Sequence, residues 1–317
     1  MKVTTLAGGI GAGKFLRGLV RAIPPEDVTV IVNTGDDITM HGLHVSPDVD
    51  SVTYWLGDVF DRERGWGRRD ETFRATEELR AFDPDMAWFN LGDLDLATHL
   101  FRSNLLARGA TLAEATARVA ARFGVAARLL PMSDERIETR LSVAADGDEL
   151  DLHFQEYWVR RAARDEVKSI RYEGADRSRP APGVLDAIAG AEAIVLCPSN
   201  PVASIGPILA VPGIRDALAA RRPDVVGISG IVGGAPLAGM ADKLMPVAGV
   251  EVTAAGAAAC YEGLLGAWVI DEVDAALAAR VDATGVRCGV TDTIMVDDAT
   301  AEALARFALS LVGPGSR

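Results

Sequence analysis

The chain has 317 residues, 49% of them hydrophobic and 24% charged, with a formal net charge of −13. That length can bury a full core, as one large domain, two smaller ones or a core with an insertion, and the acidic balance argues against a nucleic-acid binder, which needs a basic stripe to displace counterions. Cys197, Cys260 and Cys288 are widely spaced and in no C-x-x-C pair, so they suggest neither a disulfide framework nor a zinc site and suit a reducing cytoplasm.

Met1 runs straight into "KVTTLAGG", without a charged and then apolar leader, and no run of 18 apolar residues follows, so neither targeting nor membrane insertion is expected. "KVTTLA" reads as the first strand and "GGIGAGK" as the loop after it. From Gly8 through Gly13 to Lys14 the loop fits most of G-x-x-x-x-G-K-[ST], whose backbone N–H groups cradle phosphates and whose hydroxyl binds Mg. Phe15 stands at the hydroxyl position and ligates nothing. Gly8, Gly9, Gly11, Gly13 and Lys14 are therefore expected to form a phosphate cradle whose metal is held elsewhere. Phe15, Leu16, Leu19, Val20 and Ile23 recur at helical spacing until "IPP" stops the helix.

"VTVIVN" is the second strand, and "NTGDD" follows it. Residues 22–61 contain no lysine or arginine, yet Asp36, Asp37, Asp48, Asp50, Asp58 and Asp61 all fall there. Such crowding raises carboxylate pKa values unless a cation relieves it. Helix capping accounts for part of the cluster, since Asp48 or Asp50 suits the start of a helix near Ser51. Mg takes one or two protein carboxylates and completes its shell with phosphate oxygens and water, so Asp36 and Asp37, after the second strand and beside the glycine loop, supply what Phe15 cannot. The ribose contact of a nicotinamide dinucleotide fold is a rival use of Asp36. Lys14 stands where the third glycine of that fingerprint belongs.

"MAWFNL" reads as the third strand, leading into "GDLDLATHLFRSNLL". Asp95, His99 and Arg102 fall at i, i+4 and i+7, on one face of a helix beginning near Asp95, where they suit a pocket for a polyhydroxy acceptor or serve as an N-cap and a surface ion pair. Between about 98 and 182 two helical stretches precede alternating residues around Asp146-Gly147, a hairpin signal. This segment reads as an insertion capping the sheet of a single domain spanning 1–317. "AIVLCP", "DVVGIS" and "AWVIDE" are further strands. Ser199 and Asn200, just before an apolar helical run, suit either an anion or ordinary capping. "GISGIVGGAPLAGMADK" supplies a second glycine loop, with Lys243 beyond it, and "GPGSR" a loose tail. The alternation of short valine- and isoleucine-rich runs with helical periodicity gives an α/β fold, a Rossmann-like parallel sheet with helices on both faces plus a mixed helix and hairpin insertion. Ligands in such sheets bind outside the carboxyl ends of the strands.

"GGIGAGKFLRGL", "NTGDDITMHGLHVSPDVDSVTY", "GDLDLATHLFRSNLL", "LPMSDERIETRL", "CPSNPVASIGPIL", "GMADKLMP" and "VTDTIM" together resemble the 2-phospho-L-lactate transferases, CofD in archaea and FbiA in actinobacteria, across nearly the whole chain. The resemblance implies a cytoplasmic, homodimeric, Mg-dependent transferase of coenzyme factor 420 biosynthesis. The ribityl hydroxyl of the acceptor, 7,8-didemethyl-8-hydroxy-5-deazariboflavin, attacks phosphorus of a guanosine diphosphate-linked hydroxy acid and expels GMP; lactate, enolpyruvate and glycerate donors are all open. By motif, Asp36 and Asp48 hold the metal and approach the acceptor. Asp93, Asp95, His99 and Arg102 of the third stretch line the acceptor, and the basic residue after "GWG", Arg68 or Arg69, contacts the acceptor or the diphosphate. Ser199 and Asn200 join the nucleotide site. Ala235 and Ala238 stand where archaeal members are expected to have phosphate-binding lysines. The related YvcK-like proteins, regulatory or nucleotide-sugar-binding, share the implied fold and are the alternative.

Overall fold

The opening apolar run forms β1 (Val3–Ala7), buried at all five positions, and passes into α1 (Gly9–Ala22). The computed structural model describes residues 1–145 and 147–312, so Asp146 of the expected hairpin turn and the expected tail 313–317 lie outside the described residues. β2 (Val28–Val32) lies parallel to β1, with Val3 against Val28. Beyond it come a short antiparallel hairpin, β3 (Ile38–Met40) and β4 (Leu43–Val45), and the helices α2 (Pro47–Leu56), α3 (Arg74–Phe82), α4 (Asp93–Ala107) and α5 (Leu112–Arg122). Thr111 and Glu114 form a capping box that fixes the start of α5.

Met86–Leu91 is not the third strand. A 3-10 turn (Pro84–Ala87) and irregular chain occupy that stretch, because Trp88, Phe89 and Leu91 pack against Met40 and Val45 of the small hairpin, away from the sheet. The strand beside β2 is instead β5 (Arg128–Pro131). It falls within the segment expected to be inserted, 98–182. The same segment holds an antiparallel sheet in which β6 (Glu138–Ala145) runs between β7 (Asp148–His153) and β8 (Glu166–Glu173).

The second half adds β9 (Ala193–Leu196), β10 (Val225–Ile228), a two-residue ribbon of β11 (Ile231–Val232) and β12 (Ala235–Pro236), β13 (Ala267–Ile270), β14 (Arg287–Val290) and a final helix, Asp298–Ser310. The edge strand β14 escapes the pattern in sequence because Arg287, Cys288 and Gly289 break its apolar run. The main sheet has the order β14-β13-β10-β9-β1-β2-β5, and every pairing is parallel. Side chains alternate between two cores: Leu6, Ile31 and Leu196 face the layer carrying β6 to β8, while Val3, Val30 and Val195 face α1 and the final helix. Both faces are covered, as an all-parallel sheet requires. Chain order reverses between β1 and β9, which creates the crevice where such sheets place ligands. Among the described residues no helix is long and apolar enough to cross a membrane.

Candidate active site

Three strand ends converge at that crevice: Gly8 after β1, Asn33 after β2, and Ser199 just past β9. Ser199 Oγ donates to the Gly8 carbonyl at 2.8 Å and lies 3.4 Å from the Gly8 N–H, joining the strands across the reversal. Asn33 Nδ2 donates to Asp36 Oδ1 at 3.2 Å and to Asp48 Oδ2 at 2.9 Å. One amide thus holds a carboxylate from the turn after β2 and one from the first turn of α2. Gly8 makes room for this arrangement, since a Cβ there would lie 2.5 Å from Asp48 Oδ2 and 2.7 Å from Ser204 Cβ.

Both carboxylates are buried, and neither has an ion pair among the described residues. Burial, then the charge of Asp48, pushes Asp36 well above the usual carboxylate range, although the Asn33 bond opposes it. Burial raises Asp48 to about 6 against the hydrogen bonds from Asn33 and the Gly9 N–H. Two buried carboxylates without a cationic partner are a donor set for a hard divalent cation such as Mg. Among the described residues no group of three or more His, Cys, Asp or Glu is arranged for a metal, so the other positions would fall to ligand oxygens and water.

The pair opens into a cavity of about 790 Å³. On its α2 and α4 side stand Asp50, Tyr54, Asp95 and His99. Glu71 accepts the Leu94 and Asp95 N–H groups at 2.8 Å each, fixing the start of α4. Tyr54 Oη donates to Asp95 Oδ1 at 2.6 Å, and His99 Nε2 faces Asp95 Oδ2 at 3.4 Å. Burial would raise Asp95, but His99, Tyr54 and Arg102 outweigh it and hold its carboxyl below the usual range. The opposite side is built from Ser199, Ser229, Gly230, the turn after β12 and Thr293 to Met295, and among the described residues lining it none is acidic. Trp158 and Val159, from the π-helical turn Glu156–Arg160, add two exposed apolar side chains to the lining.

The expected site residues separate into two groups. Asp36, Asp48, Asp95, His99, Gly8, Gly9, Gly11, Lys14, Ser199 and Asn200 all line the cavity. The glycine segment is the start of α1, with Gly8 at the N-cap and Gly9 to Lys14 in the first two turns; Lys14 is exposed and Phe15 wholly in the core. Asn200 Oδ1 also caps the following turn, accepting from Val202 N at 2.9 Å and Ala203 N at 3.0 Å. Elsewhere, a Cβ on Gly13 would lie 2.1 Å from the Trp55 ring, so that glycine serves the contact of α1 with α2. Asp93 caps α3, accepting from Thr72 Oγ1 at 2.5 Å and Ala75 N at 3.0 Å. Arg69 is exposed and donates to the Asp58 carbonyl, whereas Arg68 lies under the site, 5.9 Å from the Tyr54 ring centre, and donates to the Leu94 carbonyl. Arg102 is fully buried behind the wall on Asp50, and Lys243 bonds the Ala163 carbonyl. Helix α2 begins at Pro47, so Asp48 and Asp50 sit inside its first turn and neither caps a helix starting at Ser51. Sequence reasoning missed Asn33, Tyr54 and Glu71; only an asparagine closing a buried strand immediately before "TGDD" offered a signal.

A family model described as 2-phospho-L-lactate transferase CofD matches residues 3–306. The chain is 52% identical over 313 residues to a phosphoenolpyruvate transferase of Streptomyces griseus, covering 98% of each chain. It is 42% identical over 329 residues to one of Mycolicibacterium smegmatis, covering 99% of each. Among solved structures, a UPF0052 family protein from Bacillus halodurans superposes with a TM-score of 0.62 at 19% identity, over 98% of this chain and all of that one, a likeness of fold.

Proposed function

The chain belongs to the 2-phospho-L-lactate transferase CofD family, and from that membership we propose that it transfers a phospho-linked three-carbon acid from a guanosine diphosphate-linked donor to the ribityl hydroxyl of 7,8-didemethyl-8-hydroxy-5-deazariboflavin. This is a step in making coenzyme factor 420. The names of the relatives favour enolpyruvate as the acid. The acceptor hydroxyl oxygen bonds to the phosphorus next to the acid, the bond from that phosphorus to the GMP oxygen breaks, and the hydroxyl proton passes to solvent.

The observation that carries this reading is the buried Asp36–Asp48 pair, held by one amide at the strand reversal. When bound there, Mg supplies charge neutralisation for the diphosphate as the leaving group departs. The chain's own groups do the rest. The N-terminus of α1 and Lys14 offer donors to anionic oxygen, while the acid-free side of the cavity suits the anionic nucleotide. The opposite side, with Asp95, His99 and Tyr54, repels a diphosphate and suits the neutral, hydroxyl-rich ribityl chain. Asp37 and Asp50 are poor candidates for a general base. Asp37 is tied to Ser46 Oγ at 2.6 Å and His44 Nε2 at 2.8 Å, and Asp50 is tied to Arg102 at 3.0 Å. Phosphoryl transfer depends on positioning and charge more than on proton abstraction.

The test is incubation with the deazaflavin, Mg and, separately, enolpyruvyl, lactyl and glyceryl donors, followed by chromatography. The expected result is a new phosphodiester with equimolar GMP, formed fastest from the enolpyruvyl donor. Nucleotide-sugar binding without product from any donor would instead support a regulatory protein.

A further inference from the structure

We propose that Arg102 is a positioning residue, acting through Asp50 and His99 to aim both sides of the site while touching no substrate; the proposal rests on the reading of Asp36 and Asp48 as the reactive centre. Arg102 is fully buried, and none of it lines the cavity. Its Nη1 donates to Asp50 Oδ2 at 3.0 Å, and its Nη2 donates to Asp50 Oδ1. The fork grips the carboxylate with two nitrogens, a geometry an ammonium does not reproduce.

The grip matters because of where Asp50 sits. On a helix, two residues correspond to about 200° of rotation, so Asp48 and Asp50 project from nearly opposite sides of the first turn of α2. Asp50 points to α4, and Asp48 points to Asn33 and Asp36. That turn receives no side-chain cap from Ser46. Clamping Asp50 therefore sets the rotation of the turn, and with it the direction of Asp48. The same Nη1 lies 3.4 Å from the His44 carbonyl and 3.4 Å from His99 Nδ1. His99 Nδ1 also lies 3.6 Å from Asp50 Oδ2, and His99 Nε2 faces Asp95 Oδ2 at 3.4 Å, so the Arg102–Asp50 pair borders the imidazole on the side away from Asp95. Arg102 thus orients Asp48 on α2 and His99 on α4 from one buried point.

The experiment compares the parent with Arg102→Lys, Arg102→Met and the double variant Asp50→Leu/Arg102→Met, which removes both buried charges together. Steady-state kinetics are measured well below each Tm, and Mg binding to the substrate-free proteins is measured by calorimetry. Arg102→Lys is expected to lower kcat by roughly 10- to 100-fold, because small misplacements are costly in a positioned reaction, while the acceptor KM stays within about twofold. Its Mg affinity falls by about fivefold or more. Arg102→Met is expected to be worse, and the double variant to regain Tm without regaining kcat, since the stranded charge is gone while the clamp on α2 stays lost. A raised acceptor KM with unchanged kcat would make Arg102 a binding contact, and a lowered Tm with unchanged kcat and Mg affinity would make it purely structural; either overturns the proposal. If the parent forms no phosphodiester, the functional reading fails, and the calorimetric comparison still decides whether Arg102 aims Asp48.

Discussion

A single amide between two buried carboxylates leaves a charge problem at Asn33. Asp48 is raised to about 6 by burial, and a carboxyl raised in the folded state favours folding while protonated. That contribution is complete below its unfolded value near 3.8 and is lost as pH rises through about 6. The metal-free protein should therefore lose up to about 3 kcal/mol between those limits from this group alone. Thermal melts from pH 4 to 7.5 in chelator should show Tm falling in that window, and Asp48→Asn should flatten the fall. A Tm unchanged by Asp48→Asn at every pH would contradict the account. In turnover, Asp36→Asn and Asp48→Asn should each cost on the order of a thousandfold, the scale of lost transition-state charge stabilisation. Asp37→Asn and Asp50→Asn should slow the reaction less, because those carboxylates are already engaged by Ser46 and Arg102. Rates of the four variants across pH give the ranking.

At the scale of elements, the glycine segment belongs to a helix, so its contribution is an N-terminus and one lysine. Gly8→Ala should place a methyl against Asp48, lowering kcat by at least about tenfold through displacement of that carboxylate with a smaller effect on Tm. Phe15 sits in the core, and the chain should release no phosphate from ATP or GTP with Mg in a colorimetric assay; sustained release would show a complete phosphate loop. The strands that bracket the crevice, β1, β2 and β9, were legible because their short runs are rich in valine, isoleucine and threonine and are followed by glycine, asparagine or serine. Asp95, His99 and Arg102 were legible as one helical set, although the strand expected before them is absent. "MAWFNL" misled because its aromatics fill a satellite core under β3 and β4, which composition does not distinguish from a sheet. Arg102 was legible as a helix-face residue, but its burial on Asp50 was not, since spacing along one helix says nothing of the helix it meets. Asn33 depends on two segments fifteen residues apart in chain meeting at one point, which only tertiary structure reveals.

For the whole molecule, the sheet order places the strand reversal between β1 and β9, and the polar groups of the proposed chemistry reach that point from the turns after β2 and β9 and from α1, α2 and α4. The β6 to β8 sheet packs on one face of the main sheet, and the turn beyond β7 adds Trp158 to the lining of the cavity. With a net charge of −13, the proposed anionic donor would need a local positive charge to enter the site. The central claim is that Asp36 and Asp48 hold the cation that meets the diphosphate. Crystals grown with Mn in place of Mg and with GDP, and examined for anomalous scattering, test it most directly. The predicted result is a Mn peak within coordination distance of both carboxylates and of a diphosphate oxygen. A Mn peak elsewhere, or a diphosphate bound with no metal at Asp36 and Asp48, would contradict it.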